Sequence, residues 1–214
     1  ASEVSVPASL VKELRQRTGA SIGKCRDALC EEGGDLEKAV QWLKQRGVKS
    51  MERRTAEAAE ALLALGMTGS VGALVELRAE TDFVTRSQIF QQLNVALAAT
   101  AAGASGSPLS EVALEGGPGR PEQVSAGATV GAALLELGSV LGERLELGEV
   151  HTLTAHANGA VGGYVHPKQA DGMPGTGRMA ALVSLQASGA CDGKRLGELA
   201  TQLARHVVVA QPRF

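Results

Sequence analysis

The sequence predicts an α+β fold, in which a small N-terminal three-helix domain precedes an antiparallel-sheet core covered by helices. Three observations carry this. Residues 9–47 hold three short runs of apolar residues at helical spacing, each with its own start and stop signals. Residues 71–79 place Val71, Ala73, Val75, Leu77 and Ala79 at every second position, the mark of a half-buried strand. The rest alternates short strands and helices, an order that pairs strands antiparallel and packs helices against one side.

In the first helix Ser9 is the expected cap, Leu10, Val11 and Leu14 face inward, and Gly19 permits the left-handed ending. The second helix carries Cys25, Ala28 and Leu29. Gly33-Gly34 then breaks the chain, and Asp35 offers a capping oxygen to a third helix with Leu36, Ala39, Val40 and Leu43 on one face. Gly47 closes the unit, so the expected domain spans 1–47. Residues 48–57 (VKSMERRTAE) are charged and poor in large apolar groups, as suits a helical or flexible linker.

The core is expected over 58–214, in two subdomains of about 58–127 and 128–214. Leu62–Leu65 pairs with the strand at 71–79 across a turn in Gly66–Gly72. Ile89, Leu93, Ala96, Leu97 and Thr100 give a covering helix. Residues 103–127, rich in Gly, Ser and Pro, read as a long surface loop or poorly ordered insertion before a helix marked by Val130, Leu134, Leu137 and Leu141. Strands follow near 149–156, 160–166 and 179–186, with a mobile loop at 167–178. A last helix carries Leu196, Leu199, Ala200, Leu203 and Val207. Strands followed by a covering helix occur twice, without a convincing sequence repeat.

Composition narrows the function. With 21 basic and 23 acidic residues and a net charge of −2, the chain lacks the positive excess of a nucleic-acid binder. Only 2% of residues are aromatic, so base-stacking platforms are implausible and the core is built from Ala, Leu and Val. Cys25, Cys30 and Cys191 form no C-x-x-C pair, which points away from a disulfide scaffold or zinc site and toward a reducing compartment. Apolar segments are broken by charge or glycine before ~18 residues, too soon for a spanning helix. The chain starts at Ala1 with no Arg-rich leader, so a transit peptide is either removed or outside the sequence.

No catalytic set emerges. His151 and His156, five apart on one expected strand, fall on opposite faces, while His166 and His206 stand alone. Dinucleotide and P-loop glycine patterns are missing from usable context, so any nucleotide chemistry belongs to a partner, and neither a metal nor a cofactor is expected. The tripeptide Thr81-Asp82-Phe83, at a strand-to-helix junction, is less ordinary. Composition alone makes Thr81 or Asp82 a helix cap and Phe83 a core plug, yet junction tips are where function is displayed.

A family resemblance bears on that choice. ASLVKELRQRTGASIGKCRDAL (8–29), GGDLEKAVQWL (33–43) and ALVELRAETDFVTRS (73–87) are similar, in order, to segments of translation elongation factor Ts, the last containing its signature TDFV. LGERLELGEV (141–150), GGYVHPK (162–168) and LARHVVVAQPRF (203–214) resemble further family segments.

The resemblance implies a ubiquitin-associated (UBA)-like helical domain and a guanine-nucleotide exchange factor for elongation factor Tu, a non-enzyme. By it, Lys12, Arg15 and Ser21-Ile22-Gly23 match positions that contact the partner's nucleotide domain. Thr81, Asp82, Phe83 and Val84 match the stretch tied to loss of the partner's magnesium. The Ala- and Gly-rich insertions favour an organelle, the mitochondrial matrix, over a plastid or bacterial cytoplasm.

The sequence also departs from the family. Its Gly-Glu-Asn is here Gly142-Glu143-Arg144, the basic pair that usually follows is missing, and Gly23 replaces a bulkier apolar residue. Family members generally continue beyond the point matching Phe214 into a second half of the core. A short factor, a piece of a longer chain and a relative kept for structural purposes all stay open. The rival to exchange is therefore a non-catalytic subunit of a larger organellar complex.

Overall fold

The computed structural model describes residues 6–18, 20–104, 107–114, 119–167 and 172–212. Three helices open the chain: α1 (Ala8–Thr18), α2 (Ile22–Glu31) and α3 (Leu36–Glu52). Val11, Leu14, Cys25, Ala28, Leu29 and Ala39 are buried together between them. Ser21 and Asp35 cap α2 and α3, their side chains accepting from the Lys24 and Lys38 amides. Gly33 and Gly34, at φ +62° and +85°, make the break between those helices.

Two local expectations need correction. Ser9 does not cap α1 but lies inside it, because the Pro7 carbonyl already accepts from the Leu10 and Val11 amides. Gly47 does not end α3, which continues to Glu52. A Cβ at Gly47 would stand 2.7 Å from Ser139 Cβ, so this glycine serves the close approach of another helix. Gly19 lies outside the described residues.

In the core, β1 (Glu60–Thr68) and β2 (Val71–Ala79) form an antiparallel hairpin. Its turn is only Gly69-Ser70, tighter than the Gly66–Gly72 expected, with Gly69 at φ +55°. β3 (Glu146–Thr154) pairs with β2, and a two-residue β5 (Thr176–Gly177) pairs with β1, giving the order β3-β2-β1-β5. That short strand lies within the stretch expected to be a mobile loop, of which 168–171 are outside the described residues.

Helices α4 (Asp82–Arg86), α5 (Gln88–Gly103) and α6 (Val130–Leu141) lie on one face of this sheet. Ala73, Val75, Leu77 and Ala79 meet Phe90, Leu93, Leu97, Val130 and Leu137 in the main core. The segment before α6 is less loose than expected. It holds a 3-10 turn at Leu109–Glu111, and Leu114 and Val124, each 2% exposed, are buried in that core. Burying these apolar side chains outweighs the turn-forming composition around them. Residues 105–106 and 115–118 are outside the described set.

The other face of the sheet meets a two-stranded sheet, β4 (Gly159–His166) and β6 (Met179–Gln186). A Cβ at Gly72 would sit 2.8 Å from Leu182 Cδ2, and one at Gly163 2.6 Å from Leu65 Cδ1. α7 (Gly193–Ala210) closes the far side, where a Cβ at Gly162 would be 2.2 Å from the Thr201 nitrogen. The core is therefore layered as helices, four-stranded sheet, two-stranded sheet and helix. α7 buries Ala200, Ala204 and Val208, whereas Leu199, Leu203 and Val207 are exposed. No helix among the described residues is long and apolar enough to cross a membrane.

Candidate functional site

The strand-to-helix junction after β2 displays the tip. Ala79 is fully buried, Glu80 and Thr81 follow, and α4 begins at Asp82. Successive α4 residues point in different directions, so Val84 and Thr85 turn into the core while Phe83 turns out. Phe83 is 83% exposed, the most exposed of the large apolar side chains described. Asp82 pairs with Arg86 one turn on, at 2.9 Å. Ser87 ends α4, its hydroxyl donating to the Val84 carbonyl, and at once caps α5 by accepting from the Phe90 amide.

Beneath the tip lies a charged network. Glu80 accepts from Arg54 through both oxygens, at 2.7 Å for the Nη2 contact, and from the Arg144 amide at 2.6 Å. The Arg54 guanidinium holds the Glu80 carboxyl below its ordinary range, with help from the Arg144 amide and against the opposing effect of burial. Arg144 also donates to the Ala56 carbonyl and pairs with Glu146. Glu143 accepts from both the amide and the hydroxyl of Thr81. The end of α3, the end of β2 and the α6–β3 connection are thereby joined at one point.

The second group of candidates lies on the helical domain. Lys12 and Arg15 are exposed on α1, Ser21 precedes α2, and Ile22 and Gly23 open it. Ile22 is 57% exposed, and a Cβ at Gly23 would have open space around it. Ser21 also borders an open cleft of about 560 Å³ between this domain and α6, lined by Lys24, Trp42, Lys44 and Glu136. Lys44 spans it, paired with Glu136 at 3.0 Å and bonded to Ser125.

The histidines stay apart from both groups, whereas Cys25 lies beneath the second, its amide donating to the Ser21 carbonyl. His151 pairs with Glu149 on β3, and His156 lies beyond that strand's end. Cys25 is buried, its thiol donating to the Ala20 carbonyl, and burial pushes its pKa up. Among the described residues no group of three His, Cys, Asp or Glu is arranged to hold a metal. Sequence reasoning missed Glu143 as a partner of Thr81 because 62 positions separate them, beyond any periodicity. In the sequence the 142–144 stretch stands out only as a departure from the family pattern.

Comparison with known proteins bears on the whole chain. The family model described as Elongation factor TS matches residues 80–214. Elongation factor Ts of Rhodospirillum rubrum is 36% identical over 212 residues, covering 98% of this chain and 64% of that protein. That of Paramagnetospirillum magneticum is 37% identical over 210 residues, covering 98% and 63%. That of Ehrlichia chaffeensis is 33% identical over 210 residues, covering 98% and 68%. The chain thus spans a little under two thirds of the first two relatives. With the model matching more than half of its length and these relatives covering 98% of it, the chain belongs to the elongation factor Ts family.

Proposed function

We propose that this chain is a guanine-nucleotide exchange factor that docks on elongation factor Tu and speeds release of GDP during translation elongation. The observation that carries the reading is a phenyl ring held 83% exposed on a rigid junction in a chain so poor in aromatics. A GDP bound to a GTPase is held by its phosphates, through backbone amides and Mg²⁺, so displacing the elements that position the metal weakens the whole grip. Burying one phenylalanine in a partner's pocket is worth about 2–3 kcal/mol, enough to drive a packed loop into a second arrangement.

In this reading Phe83 is the wedge, Thr81 and Val84 fix its base, and Asp82 faces the phosphate end once it leaves Arg86. Lys12, Arg15, Ser21, Ile22 and Gly23 form the separate docking patch on the helical domain. Coupling is reciprocal, so GDP weakens the factor's binding as much as the factor weakens that of GDP. The relatives named above are bacterial and favour a bacterial-type factor. The mitochondrial location expected from the Ala- and Gly-rich insertions gains no support from them.

The test is release of fluorescent GDP from purified elongation factor Tu. The unsubstituted chain should accelerate release, and Phe83→Ala should remove about thirtyfold or more of that acceleration, the rate equivalent of a lost phenyl contact. Asp82→Ala should blunt it less. A folded, unsubstituted chain that leaves the release rate unchanged would defeat the reading in favour of a structural subunit of a larger complex.

A further inference from the structure

Thr81 occupies the N-cap position of α4, yet its side chain accepts from none of that helix's amides. The hydroxyl donates instead to Glu143 Oε1, while the Thr81 amide donates to Glu143 Oε2 at 3.0 Å. One carboxylate thus holds the residue immediately before Asp82 and Phe83 through both of its oxygens. Glu143 is itself set firmly. It follows Gly142, which ends α6 at φ +76°, and its own amide donates back to the Gly138 carbonyl. α6 carries Ser139 against Gly47 of α3, and Arg54, just beyond α3, grips Glu80 below Thr81.

We infer that Glu143 is a positioning residue for nucleotide exchange, fixing the angle at which Phe83 leaves the surface and tying that angle to the seat of α3. The inference rests on the exchange-factor reading above. A helix of five residues cannot hold its own conformation in water, so α4 depends on what bolts its ends. With the Thr81 bonds gone, the ring samples several directions and only a fraction of the population is poised to enter a pocket. Docking through the helical domain persists, but the insertion step after docking slows. The loss therefore falls on the release rate at saturation and leaves the half-saturating concentration in place.

Two measurements on the full chain test this. In the free protein, amide hydrogen exchange of 81–86 should rise about tenfold in Glu143→Ala and much less in Glu143→Gln, which keeps one acceptor oxygen. In GDP release from elongation factor Tu, Glu143→Ala should lower the saturating rate about tenfold with the half-saturating concentration within about twofold, and Glu143→Gln should restore most of it. Added to Phe83→Ala, Glu143→Ala should cost nothing further. Unchanged protection of 81–86, an unchanged saturating rate, or a loss that adds to that of Phe83→Ala each overturns the positioning role. An unsubstituted chain that releases no GDP overturns the exchange reading itself and this role with it. The amide measurement, made without any partner, separates the two failures.

Discussion

The core builds a hairpin with a covering helix twice, and the two copies differ in what surrounds them. In the first, β1 carries Gly66 where α5 comes down, a Cβ there standing 2.1 Å from the Ala98 carbonyl oxygen. In the second, β4 carries Gly162 where α7 comes down, a Cβ there standing 2.2 Å from the Thr201 nitrogen. The same device, a missing side chain under a helix backbone, sets both contacts. Only the first copy is walled in, by β3 beside β2 and by α6 packed into the same core as α5. Only the first turns its strand-to-helix junction into a braced aromatic tip; at the second, Asp192 caps α7 with its own side chain. The contacts that hold the tip therefore come from the neighbours of a unit, Glu143 and Arg54, and not from the unit itself.

The sharpest way to break this comparison uses the two phenylalanines of the first copy. Phe90 is fully buried and Phe83 is 83% exposed. Phe90→Ala should cost about 3–5 kcal/mol in denaturant unfolding, and Phe83→Ala within about 0.5 kcal/mol. Similar costs at both positions would mean that the ring at 83 is not displayed.

Next comes α7, whose inner and outer apolar faces are distinguished by adjacent residues. Ala204→Asp should destabilise by about 3 kcal/mol or more because it buries a charge against β6, while Leu203→Asp should stay within about 1 kcal/mol. Thermal unfolding of the two variants reads the difference directly.

The paired glycines sharpen the parallel between the copies. Gly66→Ala and Gly162→Ala should each cost about 1–3 kcal/mol, since in both the new methyl meets helix backbone and not a flexible side-chain end. A penalty in one copy only would show that the two helices do not rest on their strands in the same way.

The smallest effect is acid dependence at the base of the tip. Arg54 lowers the Glu80 pKa from its ordinary 4.5, so folding at this site contributes stability in full above about pH 5. That contribution fades as pH falls through 4.5 and then through the lowered value. Glu80→Gln should flatten this part of the stability profile below about pH 5.

Much of this was legible in the residues. The alternation from Val71 to Ala79 marks β2 to the residue, and Asp35, Ser21 and the Gly33-Gly34 break place α2 and α3, because caps and periodicity act over a few positions. The residues alone do not single out the buried face of α7, for a physical reason. Leu199, Leu203 and Val207 repeat every four residues, but so do Ala200, Ala204 and Val208, and a helix resting on Gly162 turns its small side chains inward. The tip sequence stood out, yet its brace did not, since the carboxylate that holds Thr81 arrives from another element.

The five residues of α4 sit between two fixed points, Thr81 on Glu143 and Ser87 at the head of α5. Each residue of an α-helix advances the direction of a side chain by about 100°. Lengthening or shortening the span from 81 to 87 by one residue would swing the phenyl group from open solvent toward the sheet or the flank, with every other contact intact. The aim of the tip is thus a matter of phase, and evolution of this segment can exchange its side chains far more freely than it can change their number.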